Sequence, residues 1–342
     1  MVFPETFLAK CSFLNQRLVI NMIFDRVPFV SVVIPVKNEE KHIRACLKAV
    51  LRQTYNKKMM EVIIVDNGST DNTISIIKDF GNRVKLYKEI QGTIARVRNF
   101  GAGKAKGDLI AFLDGDCLPD KEWLQFGVKK LYENDLVGCI GFTDKHRGPD
   151  SSWVQQAWQH ICSTSKCKGC IEVPWLSSFN LILSKELFVQ IKGFNESLET
   201  CEDSDLGYRI GVHRKLLLCD YVHVVHLGEP ETLLDFIKNE YWRGKNNLKS
   251  LMISTTKARN IVSVLVPFFY LITFTILIIS TYLSLFVPYM YVLIILSGIV
   301  TLLLPIFMVL VKSSQIDGMG RFIQVSFLMA VYLISRGFSL LF

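Results

Sequence analysis

The chain has 342 residues, half of them hydrophobic, and a formal net charge of +8. This length exceeds that of one small domain, and charged residues are common up to Arg259 but scarce afterwards. The basic balance suits anionic phosphates and an anionic membrane surface. Because the sequence has neither a long lysine and arginine run nor a zinc-finger spacing, we expect no nucleic-acid partner.

Residues 1–28 form an N-terminal extension that lacks the features of a signal peptide. Its apolar stretch at 18–24 is interrupted by Asn21, and no small-residue cleavage site follows. Two interpretations stay open, namely a helix on the membrane surface and a translation start at Met22.

Strands and helices are predicted to alternate over the next part of the chain. The expected strands are 29–36, 61–66, 83–88 and 108–113. The expected helices are 39–53, a helix from Thr70 or Asp71 to near Gly81, and 96–104. Asn38 would cap the first helix. This β-α-β-α-β-α-β order predicts an α/β fold with a mainly parallel sheet flanked by helices.

Two carboxylates, Asp114 and Asp116, directly follow the fourth strand of this series. Open α/β folds bind ligands at the carboxyl ends of their strands. Mg²⁺ usually takes one or two protein carboxylates together with phosphate oxygens. The same residues are also common in turns, so the neighbouring motifs decide between a cation site and a turn.

Four sequence blocks resemble the opening of the family 2 glycosyltransferases, in the order typical of that family. They are Val-Ser-Val-Val-Ile-Pro-Val-Lys-Asn-Glu-Glu, Val-Ile-Ile-Val-Asp-Asn-Gly-Ser-Thr-Asp-Asn-Thr, Arg-Asn-Phe-Gly-Ala-Gly-Lys-Ala-Lys-Gly-Asp and Phe-Leu-Asp-Gly-Asp. The resemblance continues through Gly193-Phe194-Asn195-Glu196 to about His226. It implies a GT-A fold and inverting transfer from a nucleotide-diphosphate sugar. The chain departs from the family at Lys37, where an aromatic residue is common, and at Asn67, where a second aspartate is common.

The resemblance also implies which side chains bind the donor. The residues implied for nucleotide-sugar binding are Pro35, Asn38, Glu39, Asp66, Arg98, Asp114 and Asn180. Mg²⁺ or Mn²⁺ would be held by Asp114 and Asp116, with Asp116 as the more direct ligand, and in related enzymes a histidine near His226 joins this site.

Structural alternatives accompany several of these residues. Asn38 could be only a helix cap, and Asp66 only a turn residue. Arg98 could be a surface charge, with Arg96 as the basic residue of the site instead. His226 could be a buried structural histidine.

Glu202 and Asp203 are the candidate catalytic acids, because the attacking hydroxyl must lose a proton to a positioned base. On a helix, the positions three, four and seven residues after Asp203 are apolar or small, whereas those after Glu202 are more polar. We therefore expect Asp203 to face the cleft, and the Glu-Asp pair of the family gives its aspartate the same role. Both acids would also be favoured at a helix start without any catalytic role.

Two aromatic side chains near these acids have open roles. His223 competes with His226 as the histidine of the site. Trp175 either shapes the sugar pocket or packs in the core, and the core is the favoured interpretation.

The nine cysteines are interpreted as reduced thiols of a cytosolic domain. One cluster contains His160, Cys162, Cys167 and Cys170. These residue types bind zinc, but the spacing matches no standard site, so ordinary loop cysteines are the favoured interpretation.

Residues 256–342 are predicted to form a membrane region. Apolar segments at 261–286 and 289–311 are long enough to cross a hydrocarbon core of about 30 Å. A third candidate span, 322–342, contains Gln324 and Arg336, and an interfacial helix is the alternative there.

The orientation follows from the basic residues that flank the first two spans. They are Lys245, Lys249, Lys257 and Arg259 before the first span, and Lys312 and Arg321 after the second. A cytoplasmic catalytic domain at residues 29–255 is therefore predicted.

The predicted function is a multi-pass membrane glycosyltransferase with a lipid-linked or glycan acceptor at the cytoplasmic leaflet. A polyprenyl-phosphate glycosyltransferase and a non-catalytic membrane scaffold are the alternatives. A processive synthase is disfavoured, because Asn239-Glu-Tyr-Trp-Arg-Gly does not match the Gln-x-x-Arg-Trp of such enzymes.

Overall fold

A computed structural model of the chain describes residues 27–89, 92–144, 151–162, 169–245, 247, 257–312, 316 and 318–341. The strands are β1 (Val30–Val36), β2 (Met60–Asp66), β3 (Lys85–Lys88), β4 (Leu109–Leu113), β5 (Cys117–Pro119), β6 (Val137–Asp144), β7 (Cys170–Glu172), β8 (Asn180–Ser184) and β9 (Lys215–His226). The helices are α1 (Ile43–Leu51), α2 (Thr73–Lys78), α3 (Ile94–Lys104), α4 (Trp123–Tyr132), α5 (Trp153–Cys162), α6 (Lys185–Gln190), α7 (Glu202–Gly211), α8 (Leu233–Gly244), α9 (Lys257–Leu283), α10 (Tyr291–Lys312) and α11 (Met319–Phe338).

The first four strands form the parallel half of one sheet, in the order β3-β2-β1-β4. Their alternate residues enter two separate hydrophobic clusters, because successive side chains point to opposite faces of a strand. Val32 packs with Leu47 of α1 on one face, whereas Val33 packs with Val97 of α3 on the other. The predicted α/β fold with flanking helices is confirmed.

The second half of the sheet is mixed, which the sequence pattern did not indicate. β8 pairs antiparallel with both β4 and β6, and β9 pairs parallel with β6 but antiparallel with β5 and β7. The strand order over the described residues is β3-β2-β1-β4-β8-β6-β9-β5, with β7 beside β9. The sheet is therefore mainly parallel only in its N-terminal half.

The first helix begins later than predicted, and Asn38 does not cap it. α1 starts at Ile43 with His42 at its N-cap, which makes no side-chain capping bond. Asn38 instead has a φ of 58°, a left-handed conformation that asparagine tolerates better than most residues. Its Oδ1 accepts the backbone N–H of Thr70 at 2.8 Å, so Asn38 joins the loops after β1 and β2.

Two helices of the C-terminal region are long and apolar enough to cross a membrane, at Ile261–Leu283 and Tyr291–Val311. The third predicted span corresponds to α11, which packs against α5 and α8. Val325, Leu328 and Met329 are buried in a cluster with Phe236 of α8. This amphipathic burial agrees with the interfacial alternative better than with a lipid-surrounded span.

The interpretation of all cysteines as reduced thiols is wrong for one pair. Cys170 and Cys219 are joined by a disulfide, at directly opposed positions of the antiparallel strands β7 and β9. The suggested zinc cluster thereby loses Cys170. Cys167, like residues 1–26, Met22 included, lies outside the described residues.

Candidate functional site

A cleft opens at the carboxyl ends of β1, β2 and β4, where the sequence placed the donor site. Its lining includes Pro35, Glu39, Asn67, Ile94, Asp114 and Asp116. Asp114 follows the last residue of β4, and Pro35 is the penultimate residue of β1. The topology therefore brings residues from separate blocks of the sequence to one edge of the sheet.

Asp116 and His226 meet at one end of this cleft. The Nε2 atom of His226 lies 3.2 Å from Oδ2 of Asp116, because β5 and β9 pair with Cys117 opposite His226. The imidazole stacks on Phe179 with the ring centroids 5.2 Å apart. Gly228 allows this approach, since a Cβ there would lie 1.9 Å from Oδ2 of Asp116.

The charges of this pair support each other. Burial alone would lower the pKa of His226, but the carboxylates of Asp116 and Glu229 raise it well above its ordinary value. Burial likewise opposes ionisation of Asp116, yet His226 lowers the pKa of this carboxyl. The two shifts have one cause, because each charged group stabilises the charged form of the other.

The donor atoms at this end of the cleft fit a divalent cation. Ligand atoms of Asp116, Cys117 and His226 lie within 4.8 Å of one another, and Asp114 lines the same cleft. Carboxylate oxygens suit Mg²⁺ and Mn²⁺, and imidazole is a common additional ligand. Burial and the neighbouring aspartates raise the pKa of the Cys117 thiol well above its usual value. Since the thiolate is the metal-binding form, we leave Cys117 out of the ligand set.

Glu39 adds a third carboxyl group to this end of the cleft. Burial, together with Asp116 and Asp114, raises the pKa of Glu39 to about 8. Its backbone N–H donates to Oγ1 of Thr73 at 2.7 Å, which fixes the loop after β1. The structure thus places Glu39 beside the aspartates, whereas the resemblance implied contact with the nucleoside.

Arg98 joins the cleft to the second half of the sheet. Its guanidinium is 3% exposed and lies 2.7 Å from Asp114 and 2.8 Å from Glu202. A buried arginine between two carboxylates is held in one orientation, and removal of either partner would leave a poorly compensated charge. The structure therefore excludes the interpretation of Arg98 as a surface charge. Arg96 instead pairs with Glu89 at an exposed position.

Glu202 and Asp203 begin helix α7, but the inward face differs from the prediction. Glu202 shares the buried face with Leu206 and Ile210 and forms an ion pair with Arg98. Asp203 is half-buried, and its Oδ1 accepts the backbone N–H of Ser204 at 2.7 Å. Burial and the neighbouring Glu202 raise the pKa of Asp203 to about 7. This raised pKa gives Asp203 the affinity for a proton that a general base needs near neutral pH.

Asp66 is the last residue of β2 and directly precedes Asn67, which lines the cleft. Its side chain is 2% exposed, and its Oδ1 accepts the backbone N–H of Ser69 at 3.0 Å. This bond is the turn role that the sequence offered as the alternative.

Asn180 does not face the cleft, contrary to its implied role in donor binding. Its Nδ2 donates to the carbonyl of Phe142 at 2.7 Å, and its Oδ1 accepts the backbone N–H of Phe142 at 3.0 Å. The side chain is 2% exposed. Asn180 therefore ties β8 to β6 and supports the sheet beneath the site.

Asn180→Ala is expected to lower the free energy of unfolding by about 2–6 kcal/mol, because two buried backbone groups lose their partner at about 1–3 kcal/mol each. Thermal or urea unfolding measures this loss. Asn134→Ala is the control, since Asn134 makes one exposed turn bond. A rise in the donor KM without a loss of stability would contradict the structural role.

Two further residues lie away from the paired aspartate. His223 contacts Oγ1 of Thr143 at 2.9 Å, so His226 is the histidine that meets Asp116. Trp175 is 43% exposed, which contradicts the favoured core interpretation. It lies against Gly207 of α7, where a Cβ would approach the Cα of Trp175 to 2.7 Å.

Glu229 was not among the predicted site residues, yet its Oε1 lies 3.0 Å from Nδ1 of His226. A glutamate three residues after a histidine, beyond the end of a strand, belongs to no general pattern. Only the path of the chain after β9 brings the two side chains together.

The match of residues 31–191 to a family model, described as glycosyl transferase family 2, agrees with this geometry. The glycosyltransferase AglE of Haloferax volcanii is 28% identical over 247 residues, which cover 69% of this chain and 78% of that protein. The hyaluronan synthase of Pasteurella multocida is 29% identical over 210 residues, which cover 59% of this chain but only 21% of that longer protein.

A solved structure extends the likeness over nearly the whole chain. The mannosyltransferase PcManGT from Pyrobaculum calidifontis, in complex with GDP-Man and Mn²⁺, has a TM-score of 0.59 at 17% identity and covers 96% of this chain and 95% of its own. At this identity the likeness concerns the fold alone. Together with the sequence relatives, these matches show that the chain contains a glycosyl transferase family 2 domain at residues 31–191, within a GT-A-like fold.

Proposed function

We propose that this protein is a membrane-anchored, inverting glycosyltransferase that moves a sugar from a nucleotide diphosphate to an acceptor hydroxyl. The observation that carries the proposal is the arrangement around Arg98. This one buried guanidinium contacts Asp114 in the cleft and Glu202 beside Asp203. It thereby connects a site for the leaving diphosphate to a candidate base for the acceptor.

The donor half would be formed by Asp114, Asp116 and His226. A bound Mg²⁺ or Mn²⁺ would supply Lewis-acid stabilisation of the charge that develops on the leaving diphosphate. Mn²⁺ together with GDP-Man in PcManGT supports this assignment. Asp66 and the loop around Asn38 border the same edge of the sheet and would position the nucleoside.

The acceptor half would be formed by Asp203. Its carboxylate would take the proton of the attacking hydroxyl, which then displaces the diphosphate from the opposite face of the sugar in one step. Glu202 is less suited to this role because Arg98 neutralises it. Single displacement inverts the anomeric centre and forms no covalent enzyme intermediate.

The acceptor would be a lipid-linked saccharide or a lipid carrier. This inference is supported by the position of α11 between the catalytic part and the membrane helices. Gly337 of α11 lies so close to α9 that a Cβ there would approach the Pro267 carbonyl to 2.7 Å. Ile323 and Phe327 are 60% and 51% exposed, which suits contact with the bilayer interface. An acceptor that reaches the site from the bilayer interface would be attached to a lipid.

A cytoplasmic catalytic domain is the orientation that the flanking basic residues favour. The disulfide of Cys170 and Cys219 is more typical of an oxidising compartment. The basic residues decide the proposed orientation. The pairing of β7 with β9 places Cys170 opposite Cys219, so strand pairing by itself keeps the two cysteines adjacent in either compartment.

A topology reporter inserted at Val287, in the turn between α9 and α10, is expected to report an external position. A reporter fused ahead of Val27 should report the cytoplasm. The reverse pattern would contradict the orientation and would make the disulfide a permanent feature of the folded protein.

A donor screen tests the proposed activity. Purified protein is incubated in detergent with Mn²⁺ or Mg²⁺ and a panel of UDP-, GDP- and dTDP-sugars, with a lipid-extract acceptor, and nucleotide release is measured. We expect metal-dependent release with one class of donor. If none of the donors releases nucleotide, under conditions where a nucleotide diphosphate still binds, the non-catalytic scaffold is favoured instead.

A further inference from the structure

Behind the proposed metal site lies a chain of alternating charges that the transfer reaction does not use. His226 contacts Oε1 of Glu229 at 3.0 Å, and the same oxygen lies 4.0 Å from Arg243. Arg243 contacts Glu240 at 2.8 Å, and Glu240 contacts Arg336 at 2.9 Å. The chain begins at β9, passes through α8 and ends on α11.

The middle of this chain is shielded from water. Glu240 is fully buried with an arginine on each of its two oxygens. The other oxygen of Glu229, Oε2, is buried and has no hydrogen-bond partner among the described residues. Since buried carboxylates are costly unless they are paired, such a series would not persist without compensation from the neighbouring charges.

Glu229 determines how His226 can act toward a cation. A histidine that donates from Nδ1 to a carboxylate keeps its lone pair on Nε2, the atom that faces Asp116. A carboxylate behind a metal-bound histidine also fixes the ring orientation. Glu229 therefore has the position of a residue that orients a ligand without touching the metal.

The far end of the chain depends on the close packing of two helices. A Cβ at Gly244, the last residue of α8, would lie 1.9 Å from Oγ of Ser339 and 3.2 Å from Cδ of Arg336. Only glycine permits this approach. The position of α11 thus decides whether Arg336 reaches Glu240.

We propose that the charges from Glu229 to Arg336 position His226, so that the seating of α11 beside the membrane helices sets the affinity of the catalytic site for its divalent cation. This inference rests on the proposed function, because it assumes that Asp116 and His226 hold the cation. Glu229, Arg243, Glu240 and Arg336 are positioning residues that act through one another.

Mn²⁺ binding to the full-length protein tests the coupling, with the free Mn²⁺ signal followed by electron paramagnetic resonance. Glu229→Ala is expected to weaken Mn²⁺ binding by about 10- to 100-fold, the usual effect of losing the residue behind a ligand. Glu229→Gln, which keeps a hydrogen-bond acceptor, should restore most of the affinity. Arg336→Gln, remote from the cleft, is expected to weaken Mn²⁺ binding roughly 2- to 30-fold, and Arg336→Lys should weaken it less.

Controls separate the coupling from a general loss of structure. Glu61→Gln removes another buried, ion-paired carboxylate, at the opposite end of β2 from the cleft, and should leave the Mn²⁺ affinity unchanged. The double variant Glu240→Gln with Arg336→Gln removes the ion pair between α8 and α11, and Arg243 keeps Glu229 as its charged partner at 4.0 Å. Thermal unfolding of each variant verifies that it is folded.

Parental Mn²⁺ affinity in the folded double variant would overturn the coupling but leave the metal site intact. If Asp116→Asn also binds Mn²⁺ like the parent, the metal site itself is wrong, and the coupling with it. Weaker binding in the double variant and normal binding in Glu61→Gln would support the proposal.

Discussion

Asp203→Asn is expected to reduce kcat by about 10²- to 10⁴-fold, the usual contribution of a positioned general base. Asparagine has nearly the same shape, and its Oδ1 can still accept the backbone N–H of Ser204. Metal-dependent nucleotide binding should therefore persist, because the change removes only the site for the acceptor proton. Nucleotide release and nucleotide affinity, measured on the same preparation, separate the two effects.

The pH profile provides a second test of Asp203. Its pKa is raised to about 7 by burial and by Glu202, against the opposing effects of the Ser204 N–H and Arg98. A base works only when it is ionised, so turnover should rise with pH up to about 7 and fall about tenfold for each pH unit below it.

A matched control for Asp203→Asn is Glu186→Gln, which changes an exposed acid in the first turn of α6. Its activity should equal that of the parent. Substantial turnover by Asp203→Asn, or a flat profile between pH 5 and 8, would refute the base assignment.

Asp116→Asn is expected to abolish metal-dependent nucleotide binding as well as turnover. The change removes the carboxylate charge that faces His226 at 3.2 Å. The metal-dependent affinity for nucleotide should fall by more than the 10- to 100-fold that is typical of residues behind a ligand. Calorimetric titration of UDP and GDP, with and without Mn²⁺, measures the loss. The difference between the two titrations should disappear in the variant.

Asp135→Asn is the control for this experiment, because Asp135 is exposed in the loop between α4 and β6. A normal response to Mn²⁺ in Asp116→Asn would remove Asp116 from the metal site. A loss of nucleotide binding both with and without Mn²⁺ would instead point to damage of the whole cleft.

The N-terminal half of the fold followed from local patterns, because buried parallel strands alternate with amphipathic helices there. The predictions for β1, β2 and β4 agree with the structure to within one or two residues. The antiparallel pairing of β8 between β4 and β6 was not accessible, since it joins segments far apart in sequence. Pairing of that kind depends on tertiary packing rather than on local periodicity.

The site shows the same division between short-range and long-range information. Asp114 and Asp116 were evident because they end a strand, and Asp203 because of the family resemblance. The ion pairs of Arg98 were not evident, as they depend on contacts across 16 and 104 positions. The resemblance implied that Asn180 binds the donor, and its amide bonds to the Phe142 backbone cannot be read from the sequence.

The contact between Glu240 and Arg336 also imposes an order on biosynthesis. The two residues are 96 positions apart, and both membrane-crossing candidates lie between them. A chain made from its N-terminus folds the earlier part first. Glu240 therefore gains Arg336 as a partner only after α9 and α10 have left the ribosome. The ion pair that buries Glu240 is therefore completed only after α11 has been translated.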